Sequence, residues 1–238
     1  MNLILFEATE IGAPLARGEA RARHLLEVLR RKVGETFDAG VVNGPRGKGT
    51  VVAIGAEALT LAFAWGEAPP ALEPIRLIIG LPRPQTARDI LRDATTLGVA
   101  KMDFVLTEKG EPSYARATLW TDGEWRRQLL VGAAQAFDTR IPEVAVGRTL
   151  GETLAELPAG GARLALDNYE AEAALSAVEF GRSEVTLAIG PERGWAAGDR
   201  ATLREHGFTL VHLGARVLRT ETAVTAALAV LKTRQGTM

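Results

Sequence analysis

From Ile75 onward the chain alternates between short apolar runs and amphipathic stretches, and this alternation limits its fold more tightly than any other feature. IRLIIGL (75–81), KMDFVLT (101–107), ARLALD (162–167), VTLAIG (185–190) and TLVHLG (209–214) read as strands. TARDILRDATTLG (86–98), EWRRQLLVGAAQAF (124–137), EAEAALSAV (170–178), a stretch from Gly198 and another from Thr220 read as helices. Strands that are apolar throughout must be covered on both faces, and helices between them supply the cover. The expected fold is α/β, with a parallel sheet.

The first third has a different texture. LILF (3–6), TFDAGVV (36–42), GTVVAIG (49–55) and LTLAFAW (59–65) are short strand candidates, and EARARHLLEVLRR (19–31) carries one apolar helical face. Glycine-rich turns, notably NGPRGKG (43–49), separate the strands, a pattern of small barrels. The polar, proline-rich GEAPPALEP (66–74) reads as a linker. The chain therefore divides into a β-rich module over residues 1–70 and an α/β domain over 74–238.

Composition excludes several classes of function. With no cysteine among 238 residues, disulfides, a thiol nucleophile and cysteine metal sites are ruled out. The three histidines (His24, His206, His212) stand in no metal-ligand spacing, so no catalytic metal is expected. No apolar run reaches the ~20 residues of a membrane helix, and MNLILFEATE has no export-signal pattern, which makes the cytoplasm the default. A formal net charge of −1 argues against nucleic-acid binding by bulk charge. Six cations face two acids between Arg17 and Lys32, a local net of +4, readable as a solvated helix face or as a docking surface.

Ligands of open α/β sheets bind beyond the carboxyl ends of the strands. Three loops qualify: the one after LALD, GPERG (190–194) and GARVLR (214–219). GPERG lacks the G-K-[ST] of a phosphate loop, and its Glu192 would repel phosphate, so by spacing alone it reads as a plain strand-to-helix turn rather than a ligand cradle. ARVLRTETA is harder to dismiss. Thr220 can cap the last helix and Glu221 complements its dipole. Arg216 and Arg219 just before a helix N-terminus are electrostatically disfavoured unless an anionic partner is present.

IGPERGW followed by LGARVLRTETAVTAAL resembles the C-terminal signature of the RsmE family of SPOUT-class RNA methyltransferases, G-P-E-G-G-[FW] and L-G-x-R-[IV]-L-R-T-E-T-A. RHLLEVLRRKVGE (23–35), LGV (97–99) and TRIPEV (139–144) extend the match over nearly the whole chain. The resemblance implies a PUA-like β-barrel at the N-terminus, a trefoil-knotted α/β domain, a homodimer, and methylation of uridine N3 in 16S ribosomal RNA of the small subunit. It implies S-adenosylmethionine (SAM) as cofactor, held by Leu166, Ile189, Gly190, Pro191, Glu192, Gly194, Leu213, Gly214, Val217, Leu218, Thr220 and Ala223.

For catalysis, a uridine N3 that loses its proton spreads negative charge onto its carbonyl oxygens. Arg219 is the first candidate to stabilise that charge and Arg216 the second, while Glu221 is a candidate base that could instead cap the helix. RNA docking falls to Arg17, Arg21, Arg23, His24, Arg30 and Lys32, with a loop carrying Arg46 and Lys48. The apolar AVTAALAVL (223–231) suits a dimer interface or a core.

The segments 84–88, 94–98 and 134–138 and the GPERG turn depart from the family pattern, notably with Arg193 for a glycine, Thr86 for a cation, Thr96 for an acid and Asp138 for a cation. If Arg193 needs positive φ it is strained. The expectation is that cofactor binding survives while the RNA side has diverged. A SPOUT methyltransferase acting on another RNA, or a non-catalytic RNA-binding assembly protein on the same scaffold, are the alternatives.

Overall fold

The computed structural model describes residues 3–181 and 184–238. The chain forms two compact units, one of residues up to Ala71 with Ala133–Ile141, the other of Leu72–Gly132 with Pro142–Met238.

The first unit carries β1 (Ile4–Phe6), β2 (Leu15–Ala16), α1 (Ala20–Arg23), β3 (Thr36–Val41), β4 (Arg46–Ile54) and β5 (Ala58–Trp65). They form one sheet in the order β1-β3-β4-β5-β2, antiparallel except for β1 beside β3. Phe6, Leu25, Phe37, Val51 and Leu59 fill its core, with Phe63 edge-on to Phe6 at 5.0 Å.

Two expectations change here. The helix over 19–31 is only one turn, α1, followed by a π-helical turn over His24–Val28, where Leu29 N–H bonds His24 O at 2.9 Å. Arg30, at φ 52°, is left-handed and ends it. NGPRGKG is not a loop as a whole: β4 starts at Arg46, so Arg46 and Lys48 stand on a strand. Gly44 closes a turn, with its N–H on Val41 O at 2.8 Å, but Gly47 and Gly49 serve close packing. A Cβ on Gly47 would lie 2.1 Å from Ala64 O, and one on Gly49 would lie 2.3 Å from the Phe37 ring.

The second unit runs β6 (Glu73–Gly80), α2 (Pro84–Thr96), β7 (Val99–Leu106), α3 (Thr118–Thr121), α4 (Glu124–Gln135, whose last turn belongs to the first unit), β8 (Glu143–Thr149), α5 (Leu150–Ala155), β9 (Ala162–Leu166), β10 (Ala173–Ala174), β11 (Val185–Ile189), α6 (Ala197–Glu205), β12 (Thr209–His212) and α7 (Thr220–Gln235). Seven parallel strands follow the order β10-β12-β9-β11-β6-β7-β8. Every residue of β11 is buried, as a strand covered on both faces requires. Ile78, Val105, Ala165, Ala188 and Leu210 share one core with Leu150 and Leu154 of α5 and Leu203 of α6. α2 packs on β7 and on α7, and α7 packs on β11. Val224, Ala227, Leu228 and Leu231 of α7 are buried within this unit, so the unit's own packing accounts for the apolar row of that helix.

The stretch 170–178 is not a helix. Ala173–Ala174 pairs with Val211–His212 as the edge strand, and Leu175–Ala177 makes a single 3-10 turn that buries Leu175. The sheet edge overrides the helical propensity of alanine and glutamate. No helix among the described residues is long and apolar enough to cross a membrane.

Candidate functional site

A cleft of about 790 Å³ opens in the second unit where β9, β11 and β12 end. The loops after these three neighbouring strands and the first turn of α7 wall it.

The 190–195 wall is a turn closed by Gly194 N–H to Pro191 O at 2.8 Å. Gly194 takes the left-handed conformation at φ 66°, and Arg193 does not. The positive φ therefore falls on the glycine that closes the turn, and the expected strain at Arg193 is absent. Trp195 is buried, and its indole N–H donates to Leu166 O at 2.9 Å, tying this turn to the end of β9. Glu192 Oε1 accepts the N–H of Arg83 at 3.0 Å, which joins the turn to the N-terminus of α2. Gly80 closes the floor: a Cβ there would lie 2.3 Å from Pro191 Cδ and 2.6 Å from its nitrogen. Gly80→Ala is expected to displace the turn, destabilising the unit by about 1–3 kcal/mol and weakening any ligand of the cleft. Denaturant unfolding and ligand titration of the variant check both effects.

The facing loop follows β12. Gly214, at φ 109°, donates its N–H to His212 Nδ1 at 3.0 Å. Arg219, not Thr220, is the residue that caps α7: it has φ −64° and ψ 153°, with no side-chain cap bond. Thr220 is the first helical residue and is buried. Glu221 stands in the first turn and lines the cleft without an ion pair among the described residues, so it pairs with neither arginine.

Behind the third loop lies a buried ion pair. Asp167 Oδ2 accepts Arg200 Nε–H at 2.7 Å, with side chains 2% and 8% exposed. Asp167 Oδ1 accepts the N–H groups of Tyr169 (2.8 Å) and Glu170 (2.6 Å). Burial pushes this carboxyl up, but the Glu170 N–H, the Arg200 guanidinium and the Tyr169 N–H outweigh it and hold it below its ordinary value. A carboxylate held low stabilises the fold above its unfolded value, about 3.9, and that contribution disappears as pH falls through the lower folded value. The stability gap between the wild type and Asp167→Asn is accordingly expected to be constant near neutrality and to shrink below about pH 4. Denaturant unfolding of the pair at a series of pH values measures it.

Of the residues expected from the sequence, Leu166, Ile189, Gly190, Pro191, Glu192, Gly194, Leu213, Val217, Leu218, Thr220 and Ala223 line the cleft, together with Arg216, Arg219 and Glu221. Gly214 does not, and its N–H is taken by His212. Asp167, Asn168, Tyr169, Arg193, Trp195, His212, Arg83 and Thr86 line it without having been assigned to it. Thr96 bonds Arg92 O and Gly132 O at 3.0 and 3.1 Å, joining α2 to α4. Asp138 Oδ1 accepts the N–H groups of Thr139 and Arg140, a local turn.

The proposed RNA surface of the first unit is partly spent on its own structure. Arg21 pairs with Glu10 at 2.7 Å and with Glu19, bonds Leu5 O and lies over the Phe6 ring. Arg46 donates to Phe137 O at 2.8 Å, Lys48 pairs with Asp38 at 2.6 Å and Arg17 donates to Gly55 O. Arg23, Arg30 and Lys32 are exposed, and His24 is half-buried in the π turn. The cleft rim contrasts with this. Among the described residues Arg83, Arg193, Arg216 and Arg219 make no side-chain hydrogen bond or ion pair, while Arg76, Arg88, Arg148, Arg200 and Arg204 of the same unit are each paired with a carboxylate.

Residues 69–232 match the family of RNA methyltransferase domains. The chain is 33% identical over 246 residues to the ribosomal RNA small subunit methyltransferase E of Treponema pallidum, covering 97% of this chain and 90% of that protein. It is 27% identical over 232 residues to ribosomal RNA small subunit methyltransferase E 1 of Borreliella burgdorferi, with 95% of each covered. In fold it is similar to a ribosomal RNA small subunit methyltransferase E from Neisseria gonorrhoeae solved with S-adenosyl methionine bound, at TM-score 0.76 and 24% identity over 99% of this chain and 98% of that one. A probable rRNA-methyltransferase from Porphyromonas gingivalis gives TM-score 0.82 at 20% identity, with 98% of each chain covered.

Proposed function

From the premise that this chain belongs to the family of RNA methyltransferase domains, as a relative of the ribosomal RNA small subunit methyltransferase E proteins, we propose that it transfers a methyl group from SAM to N3 of a uridine in 16S ribosomal RNA. The observation that carries this reading is the cleft itself, walled by the two loops that bear the family's signature residues.

The cleft fits SAM in size and in chemistry. Its volume of about 790 Å³ lies within the roughly 300–1,000 Å³ range of small-molecule sites. Leu166, Ile189, Pro191, Leu218 and Ala223 offer an apolar wall for adenine. Among the described residues the N–H groups of Val217 and Leu218 donate to no protein acceptor, leaving donors for adenine or the methionine carboxylate. When bound, SAM supplies a methyl group on a positively charged sulfur.

This chain's own residues manage the uracil. Glu221, in the first turn of α7 and lining the cleft, is the candidate to take the N3 proton. Arg219 and Arg216 offer unpaired N–H donors to the carbonyl oxygens, where charge collects once the proton is gone. The rest of the reading is a PUA-like barrel in the first unit, a trefoil knot formed by the cleft loops and a homodimer. The curled five-stranded sheet and the exposed Arg23, Arg30 and Lys32 support an RNA-docking first unit. With one row of α7 buried in its own unit, a dimer contact through this helix would fall to its partly buried Ala223, Ala226, Ala229 and Val230.

Isothermal titration of the full chain with SAM tests the cofactor assignment. Heat of binding is expected for the wild type and should be abolished in Ala223→Phe, which fills the cleft. A wild type that takes up no SAM would sink the proposal.

A further inference from the structure

The cleft rim has the composition of a single-strand grip. Tyr169 lines it with 80% of its surface exposed, the highest among the large hydrophobic residues described. One side of its ring is backed by Arg200, whose guanidinium carbon lies 5.4 Å from the ring centroid. The ring is not loosely hung. Asp167 holds the N–H groups of Tyr169 and Glu170 and is itself locked to buried Arg200. An exposed aromatic on a braced turn can accept a base at low ordering cost, and every base has a face to stack.

Charge points the same way. Arg193 is exposed, unpaired among the described residues, and relaxed in its backbone. The Arg83 N–H to Glu192 Oε1 bond ties the residue before Arg193 to the neighbouring lip, where the side chain of Arg83 is itself unpaired among the described residues. Glu192 is exposed beside Arg193 and repels phosphate, but its Oε1 is turned to the Arg83 N–H, and Arg193 has no acid partner among the described residues, so its guanidinium is free to meet a backbone phosphate.

We propose that the cleft mouth grips an unpaired RNA strand, with Tyr169 stacking on a base and Arg193 binding a backbone phosphate. The inference rests on the methyltransferase reading and specifies the form of substrate that site takes: a strand whose bases are already unstacked. A duplex cannot offer a free base face to Tyr169.

Two titrations on the full chain test it: a fluorescent oligouridylate, alone and annealed to oligoadenylate, and SAM by calorimetry. Single strand is expected to bind more tightly than duplex. Tyr169→Ala is expected to weaken the single strand by about 5- to 150-fold, with recovery in Tyr169→Trp. Arg193→Gly is expected to lower the slope of log affinity against log salt by about 0.7. SAM affinity should stay within about twofold in both variants. Equal binding of single strand and duplex, or an unchanged Tyr169→Ala, overturns the proposal. A loss of SAM affinity in Tyr169→Ala also overturns it, because the ring would then serve adenine. Failure of the wild type to bind SAM is a separate outcome and removes the underlying reading instead.

Discussion

Arg219→Ala is expected to lower kcat/KM for RNA methylation by about 10²–10³-fold, the usual effect of removing one donor from a developing oxyanion. The variant is clean because Arg219 makes no cap bond with its side chain and is exposed, so α7 should keep its start. A fall in kcat with SAM binding intact assigns the guanidinium to the transition state. A rise in KM, with a smaller salt slope and unchanged kcat, assigns it to a phosphate and moves the charge-stabilising role to Arg216. Arg219→Lys separates the two further, since a point charge suffices for phosphate but gives up the planar fork of donors.

Breaking the buried pair is expected to have the largest effect on stability. Arg200→Met leaves the Asp167 carboxylate, 2% exposed, without its cation. Removing one member of a buried pair costs about 3–5 kcal/mol. For a chain of this size that corresponds to a fall in Tm of roughly 6–20 °C. The double variant Asp167→Leu with Arg200→Met should recover much of it, because neither charge is then stranded. Even where the double variant is stable, the 167–170 turn loses its brace, so RNA binding should remain weak. Thermal unfolding of the three variants, read beside oligouridylate binding, separates stability from positioning.

Much of this was legible in the sequence, and the failures have particular causes. The strands β6, β7, β9, β11 and β12 announce themselves because strands buried largely on both faces need mostly apolar runs, of which β11 is the fully buried case. Most of the cleft residues were readable from two loops that share a motif. The short helix α5 also carried a signal: Thr149 and Glu152 form a reciprocal cap, with Thr149 N–H bonding Glu152 Oε2 at 2.8 Å, and T-x-x-E stands in the sequence. What stayed hidden depends on pairings across sequence distance. Nothing near Arg21 announces Glu10 as its partner, and Asp167 meets Arg200 33 residues on. Gly47 and Gly49 look like turn residues until neighbouring strands are laid against them. Arg193 looked strained only while the demand for positive φ was assigned to it rather than to Gly194.

Methylation of a uridine at N3 is the reaction proposed for this cleft. The most direct test incubates the purified chain with methyl-labelled SAM and small ribosomal subunits from cells lacking their own uridine-N3 enzyme. The RNA is then digested and the labelled nucleoside identified by mass spectrometry. Labelled 3-methyluridine is the result expected. Label in a different nucleoside, or none from a protein that binds SAM, would contradict the claim.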